Sequence, residues 1–278
     1  MHIRSSASLL ALALATAAVA APAFAADIAV DGVAIAPTVV DESGWRVTLK
    51  ATGVVQPKFE GVDKYGVSGF PGLSIRRPGQ PWKFGAPDDG FGFALYDGDF
   101  FQFGPVGRLR SERNSSDVKK LRGLHDVDWG IEPGVFLEVY PTEKIRVRGE
   151  LRYGVTGHDG FVGDIAADWI ERQGPWTLSF GPRVALGDSD FMNEYFGVTG
   201  RDSRRTGLSR YKAKGGVKSV GVAGAATYDW TPNWSTTVFG GYNRLVSDAA
   251  DSPIVKRAGS KDQFTVGLGV AYSFDVNW

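Results

Sequence analysis

His125-Asp126 and His158-Asp159 are the pairs best suited to moving a proton, because an imidazole beside a carboxylate is a common general base. Ser203 or Ser252 would then supply the nucleophilic hydroxyl of a hydrolase. Both pairs lie in turn-like sequence next to glycine, where aspartate and glycine are wanted for backbone reasons alone. No catalytic residue is assigned. Metal chemistry has less to build on: apart from His2 there are two histidines about thirty residues apart, and with no cysteine and no compact carboxylate spacing they match neither zinc nor calcium templates. Asp248, Asp251 and Asp262 could crowd a calcium ion, but an exposed acidic loop is the plainer meaning. Gly215-Gly216 and the run Gly221 to Gly224 lack the spacing and the helix of a phosphate cradle. No metal and no cofactor is expected.

A third constellation is positional. Arg146, Arg148, Glu150 and Arg152 alternate with Ile145, Val147, Gly149, Leu151 and Tyr153, so one strand carries a charged face and an apolar face. In hydrocarbon each charge would cost about 2–4 kcal/mol near the midplane, so the charged face must look onto a wet or salt-bridged interior. Such a surface could select anionic solutes. Alternatively it is a network closed by carboxylates of neighbouring strands, with Asp164 and Asp168 in reach, and the lumen is plugged or narrow.

The elements that would position these groups are strands. From Gln263 onward the even positions are apolar (Phe264, Val266, Leu268, Val270, Tyr272, Phe274, Val276, Trp278) and the odd ones small or polar, as lipid outside and a lumen inside demand. Trp45 to Thr52 alternates likewise. Weaker alternation runs through Val135 to Tyr140, Phe161 to Trp169, Trp176 to Phe180, Val220 to Trp230 and Trp234 to Tyr242, with further candidates near Tyr65, Leu73 to Ile75, Phe91 to Leu95 and Phe101 to Val106. Short turns at Asp97-Gly98-Asp99, Pro141-Thr142, Arg172 to Pro175 and Thr231-Pro232-Asn233 belong to the periplasmic end. Long links at Pro78 to Asp89, Arg113 to Asp126, Gly187 to Gly215 and Ser247 to Asp262 belong outside, together with the tight turn at Gly157 to Gly160. Trp45, Trp176, Trp230, Trp234 and Trp278 then form an aromatic girdle at the periplasmic strand ends. The expected fold is all-β: one antiparallel transmembrane β-barrel of about twelve strands, with ten as the alternative.

The link after Gly187 joins Phe191, Tyr195 and Phe196 to Arg201, Arg204, Arg205 and Arg210. It reads as an extracellular loop, either a lid meeting lipopolysaccharide phosphates through arginine or a segment folded inward. Residues 1–25 read as a cleaved signal peptide ending in Ala23-Phe24-Ala25, with a retained anchor as the rival. Residues 26–44 then form a periplasmic tail, and the barrel occupies 45–278. Without Arg4 the charges nearly balance, thirty Lys and Arg against thirty-one Asp and Glu, so no nucleic-acid partner is expected. Outside the signal no apolar stretch is long enough for a membrane helix.

Leu121-Arg122-Gly123-Leu124, Glu132-Pro133-Gly134, Gly157-His158-Asp159-Gly160, Tyr195-Phe196-Gly197-Val198 and Asp248-Ala249-Ala250-Asp251-Ser252-Pro253-Ile254-Val255 resemble the MltA-interacting protein (MipA/OmpV) family, from Trp45 to Trp278. The resemblance implies a barrel in the outer membrane of a Gram-negative bacterium without enzymatic activity. It implies a scaffold joining a murein transglycosylase to a murein synthase; the outer-membrane location adds contact with outer-membrane lipid and lipopolysaccharide. A narrow porin-like channel is the alternative, and a barrel hydrolase or an adhesin stands behind both.

Overall fold

The computed structural model describes residues 44–76 and 83–276. The signal sequence, nearly all of the proposed tail and Trp278 lie outside the described residues. Period-two sequence becomes strand throughout: β1 (Trp45–Pro57), β2 (Tyr65–Arg76), β3 (Phe91–Gly92), β4 (Tyr96–Asp97), β5 (Phe101–Arg110), β6 (Gly130–Thr142), β7 (Ile145–Tyr153), β8 (Phe161–Gln173), β9 (Trp176–Gly187), β10 (Gly216–Asp229), β11 (Trp234–Leu245) and β12 (Asp262–Val276). Ten of the twelve are long, and β3 and β4 are two-residue pieces of one interrupted strand along β5.

All pairings are antiparallel, in the order β2-β1-β12-β11-β10-β9-β8-β7-β6-β5-β3, with β4 also on β5. The first and last strands meet in an unbroken register from Trp45↔Val276 to Val55↔Val266. Among the described residues no register joins β2 to β3 or β4. The sheet curls into a barrel wall that turns its large apolar side chains outward: Val67 is 82% exposed, Phe180 61% and Val266 58%. A surface of that composition suits lipid and would be unfavourable in water.

Glu143-Lys144, Gly174-Pro175 and Trp230 to Asn233 make the tight turns at one end. Gly174 takes φ +56, which a residue with a side chain would adopt only under strain. Long connections cluster at the other end and fold into four short helices: α1 (Ser189–Phe196), α2 (Gly200–Thr206), α3 (Ser247–Asp251) and α4 (Pro253–Ala258). Asp188 caps α1, and Thr199 with Asp202 forms a reciprocal capping box on α2. Two apolar clusters hold these loops together as a cap, one around Phe191, Phe196, Ala249 and Val255, the other around Leu121, Leu124, Leu208 and Ile254.

One expectation is corrected. Of the link Pro78 to Asp89, the described part from Lys83 onward is not an outer loop. β2 runs antiparallel to β1, so it ends with Arg76 opposite Arg46, and Arg46 itself reaches the Pro232 carbonyl of a tight turn. The connection therefore starts at the tight-turn end. Lys83 to Gly90 then rises inside the wall, with Phe84 and Ala86 buried against Ile170.

Candidate functional site: a charged lumen wall beneath a folded cap

β7 sets the site. Its burial alternates, with Arg146, Arg148, Glu150 and Arg152 buried on the inner face while Val147, Leu151 and Tyr153 face outward. Arg146 has three carboxylate partners: Asp89 at 2.5 Å, Glu138 at 2.7 Å and Asp168 at 2.8 Å. Arg183 of β9 shares Asp168 and adds Asp88, both at 2.7 Å. One step up the wall, Arg148 sits 2.9 Å from both Glu138 and Glu150 and lies over the Phe136 ring at 4.0 Å. Gly90 N–H donates to Glu150 at 2.9 Å, so the inner segment is held by its backbone as well as its carboxylates. Near the outer end Arg152 contacts Glu132, Glu150 and Asp164, while Arg110 of β5 spans Glu132 at 2.6 Å and Glu60 at 2.8 Å. Lys218 of β10 completes the ring on Glu60 at 2.7 Å.

Burying this many ions is unfavourable unless each is multiply paired, because desolvation costs several kcal/mol per ion. That condition is met by Asp88, Asp89 and Glu60, which come from connecting segments. The wall is therefore a socket. Its lower part holds residues 83–90, and its upper part meets the cap, where Arg110 and Lys218 each lie 4.9 Å from the centre of the Phe191 ring.

The loop residues divide by chemistry. Phe191, Tyr195 and Phe196 are buried toward the lumen mouth, whereas Arg201, Arg204 and Arg205 are exposed. Neither histidine uses its sequence neighbour. His158 is buried, accepts from Gly160 N–H at Nδ1 and faces Glu132 through Nε2 at 3.0 Å. His125 directs Nδ1 to Asp202 at 3.0 Å, and Arg113 donates to its Nε2 at 2.9 Å. Asp126 instead accepts Ser115 N–H, the hydrogen bond that lowers its pKa. Burial opposes ionisation of Asp202, but hydrogen bonds from Thr199 and His125 outweigh it and hold the carboxyl below the usual range. Burial pushes the Arg113 guanidinium down to about 10, still charged at neutral pH. Ser252 donates to Phe196 O at 2.7 Å and caps α4. Among the described residues no hydrogen bond joins either histidine to a serine, and no three His, Asp or Glu groups converge as a metal site. Asp248, Asp251 and Asp262 have separate partners in Lys214 N–H, Lys256 and Arg244.

Trp45, Trp176, Trp230 and Trp234 are exposed at the tight-turn end, with Trp176 and Trp230 each packed edge-on against Tyr228. Sequence reading missed Arg108, Arg110, Arg183, Lys218, Glu132 and Glu138 as members of the network. The signal was present in part: Arg108 and Arg110 share a parity on β5, as Glu132 and Glu138 do on β6, opposite outward Leu109, Ile131 and Leu137.

The model of the family described as MltA-interacting protein MipA matches residues 49–274. The chain belongs to this family. Its relatives include the outer membrane protein Omp26La of Vibrio anguillarum, 35% identical over 33% of this chain and 34% of that protein. The MltA-interacting protein of Escherichia coli K12 is 29% identical over 42% of this chain and 45% of that one. The chain thus spans between a third and a half of these relatives' lengths. Among solved structures, an outer membrane channel from Pseudomonas putida F1 aligns over 86% of this chain and 100% of its own, at 12% identity and a TM-score of 0.44. Family and fold together make this an outer-membrane β-barrel protein.

Proposed function

We propose that this member of the family is a non-enzymatic scaffold of the outer membrane, engaging murein-hydrolysing and murein-synthesising enzymes from its periplasmic end. The observation that carries the reading is the filled socket: residues 83–90 and the Phe191 ring occupy the charged wall from below and above, which suits a barrel that displays surfaces rather than one that passes solutes along its arginines. The name of the Escherichia coli relative agrees with it. Tagged protein is expected to co-purify a murein transglycosylase from envelopes with intact cell wall. Repeated recovery of the folded barrel without one would defeat the scaffold reading.

A second reading, a narrow channel, draws on the opposite wall. There the inward residues are small and partly accessible, including Ala223, Thr227, Thr237, Gly269, Ala271 and Ser273. The arginines named as its filter are already paired with carboxylates, so a conducting path would follow the small-residue wall. Planar-bilayer recording of refolded protein, with heat-modifiable gel mobility to prove folding, separates the two. Discrete conductance steps favour the channel, and a folded but silent barrel favours the scaffold.

A further inference from the structure

The two cap clusters bury the apolar side of the long loops, and what they leave on the outside is basic. Lys119, Lys120 and Arg122 flank buried Leu121 in the first loop; Arg204 and Arg205 end α2; Arg257 ends α4. All six are exposed. Three separate loops contribute, and contacts tie them into one surface. A Cβ placed on Gly123 would lie 3.0 Å from the Cβ of Arg205, and Arg257 Nη1 reaches the Gly207 carbonyl at 3.5 Å. Beneath them Leu121, Leu208 and Ile254 pack in a single apolar cluster.

Most carboxylates of the same loops are engaged elsewhere. Asp117 pairs with Lys58 at 3.0 Å, Asp126 accepts Ser115 N–H, Asp202 serves His125 and the α2 cap, and Asp251 pairs with Lys256 at 3.0 Å. Glu112 and Asp128 sit at the base of their loop, beside the strands it joins. Among the described residues no carboxylate stands within salt-bridge distance of the six cations.

We infer that this surface docks the phosphorylated glycolipid of the outer leaflet, its guanidinium groups pairing with the lipid's phosphates. Charge complementarity is the argument: the patch lies at the long-loop end of an outer-membrane barrel, the end that faces outward, where the neighbouring lipid carries phosphate. Arginine is the side chain whose planar donor fork matches that group in two parallel hydrogen bonds. The inference is independent of whether the barrel is a scaffold or a channel.

The test uses full-length protein in phosphatidylcholine nanodiscs, titrated with rough lipopolysaccharide, with the same glycolipid after phosphatase treatment, and with soluble polyphosphate. Phosphorylated glycolipid is expected to bind at least about 10-fold more tightly than the dephosphorylated form, a difference of about 1.4 kcal/mol. Arg122→Gln/Arg205→Gln/Arg257→Gln should erase that preference, while Lys144→Gln at the opposite end leaves it intact. Equal binding of the two glycolipids overturns the inference using the unmodified protein alone, whatever the variant's folding. Binding of polyphosphate with no binding of glycolipid overturns it too, and assigns the patch to a soluble anion.

Discussion

The inner face of the wall has two halves built on opposite principles. From β5 to β8, with Arg183 of β9, inward positions carry buried arginines and carboxylates in contact with one another. From Gly221 of β10 through β12 to β1 they are mostly glycine, alanine, serine and threonine, with Phe239 over Gly267, joined by neutral bonds such as Thr227 to Thr237 and Thr48 to Ser273, both at 2.8 Å, and with Lys50 as the central charge. The charged half cannot be neutralised by strands alone and draws Asp88, Asp89 and Glu60 from outside the regular wall. The neutral half grips a connecting segment by neutral bonds alone, Gln263 of β12 accepting Gly61 N–H at 3.1 Å and donating to Val62 O at 3.3 Å. Charge here works as a way of fixing connecting segments inside a barrel, where apolar packing is weak because the large side chains point to lipid.

Breaking the charged half at its centre should have the largest effect. Arg146→Met leaves Asp89, Glu138 and Asp168 without their shared cation and is expected to cost about 3–5 kcal/mol, read as a lowered denaturant midpoint in detergent. On the neutral half Thr237→Val should cost only about 0.5–1.5 kcal/mol, one hydrogen bond. Equal shifts for the two would end the distinction. Asp89→Ala tests the socket itself: Arg146 keeps two carboxylates, so the loss should be about 1–3 kcal/mol, with hydrogen exchange rising over residues 83–90 before the rest of the wall. In the cap, Asp202 has a folded pKa below its ordinary 3.8, so its contribution is complete above that value and disappears as pH falls through the lower, folded one. Exchange in residues 188–215 should therefore rise in acid, and Asp202→Asn should raise it at every pH. Smallest of all, Glu171→Ala removes an exposed partner of Lys144 and should shift stability by about 0–1 kcal/mol.

The wall was legible because lipid and lumen impose opposite demands on alternate residues. β7 and β12 could be read nearly residue by residue, and the outward exposure of Phe264, Val266 and Leu268 follows the parity of the sequence. The two-residue strands β3 and β4 were blurred: Phe91, Phe93, Leu95 and Tyr96 keep apolar character across an interruption that periodicity does not mark. The socket was half legible. Arg146 and Arg152 announce a charged face, and Asp168 and Asp164 are their cross-strand partners or neighbours. Asp88 and Asp89 carry no such sign, because a polar link that turns inward has the composition of one that stays in water. The histidines show the same limit: Asp126 and Asp159 adjoin them in sequence, but Asp202 and Glu132, brought by folding, are their partners.

Among the described residues no register joins β2 to β3 or β4, and this has a mechanical consequence. The first and last strands are stitched side by side, whereas the edges of the sheet belong to strands consecutive in sequence, tethered by the stretch that carries Asp89. One tether thus governs both the fit of the two edges and the grip on Arg146. Tension on it is shared, so loosening the inner segment should slacken the wall at β2 and β5 together, and amide exchange in those two strands should rise as a pair when Asp89 is removed.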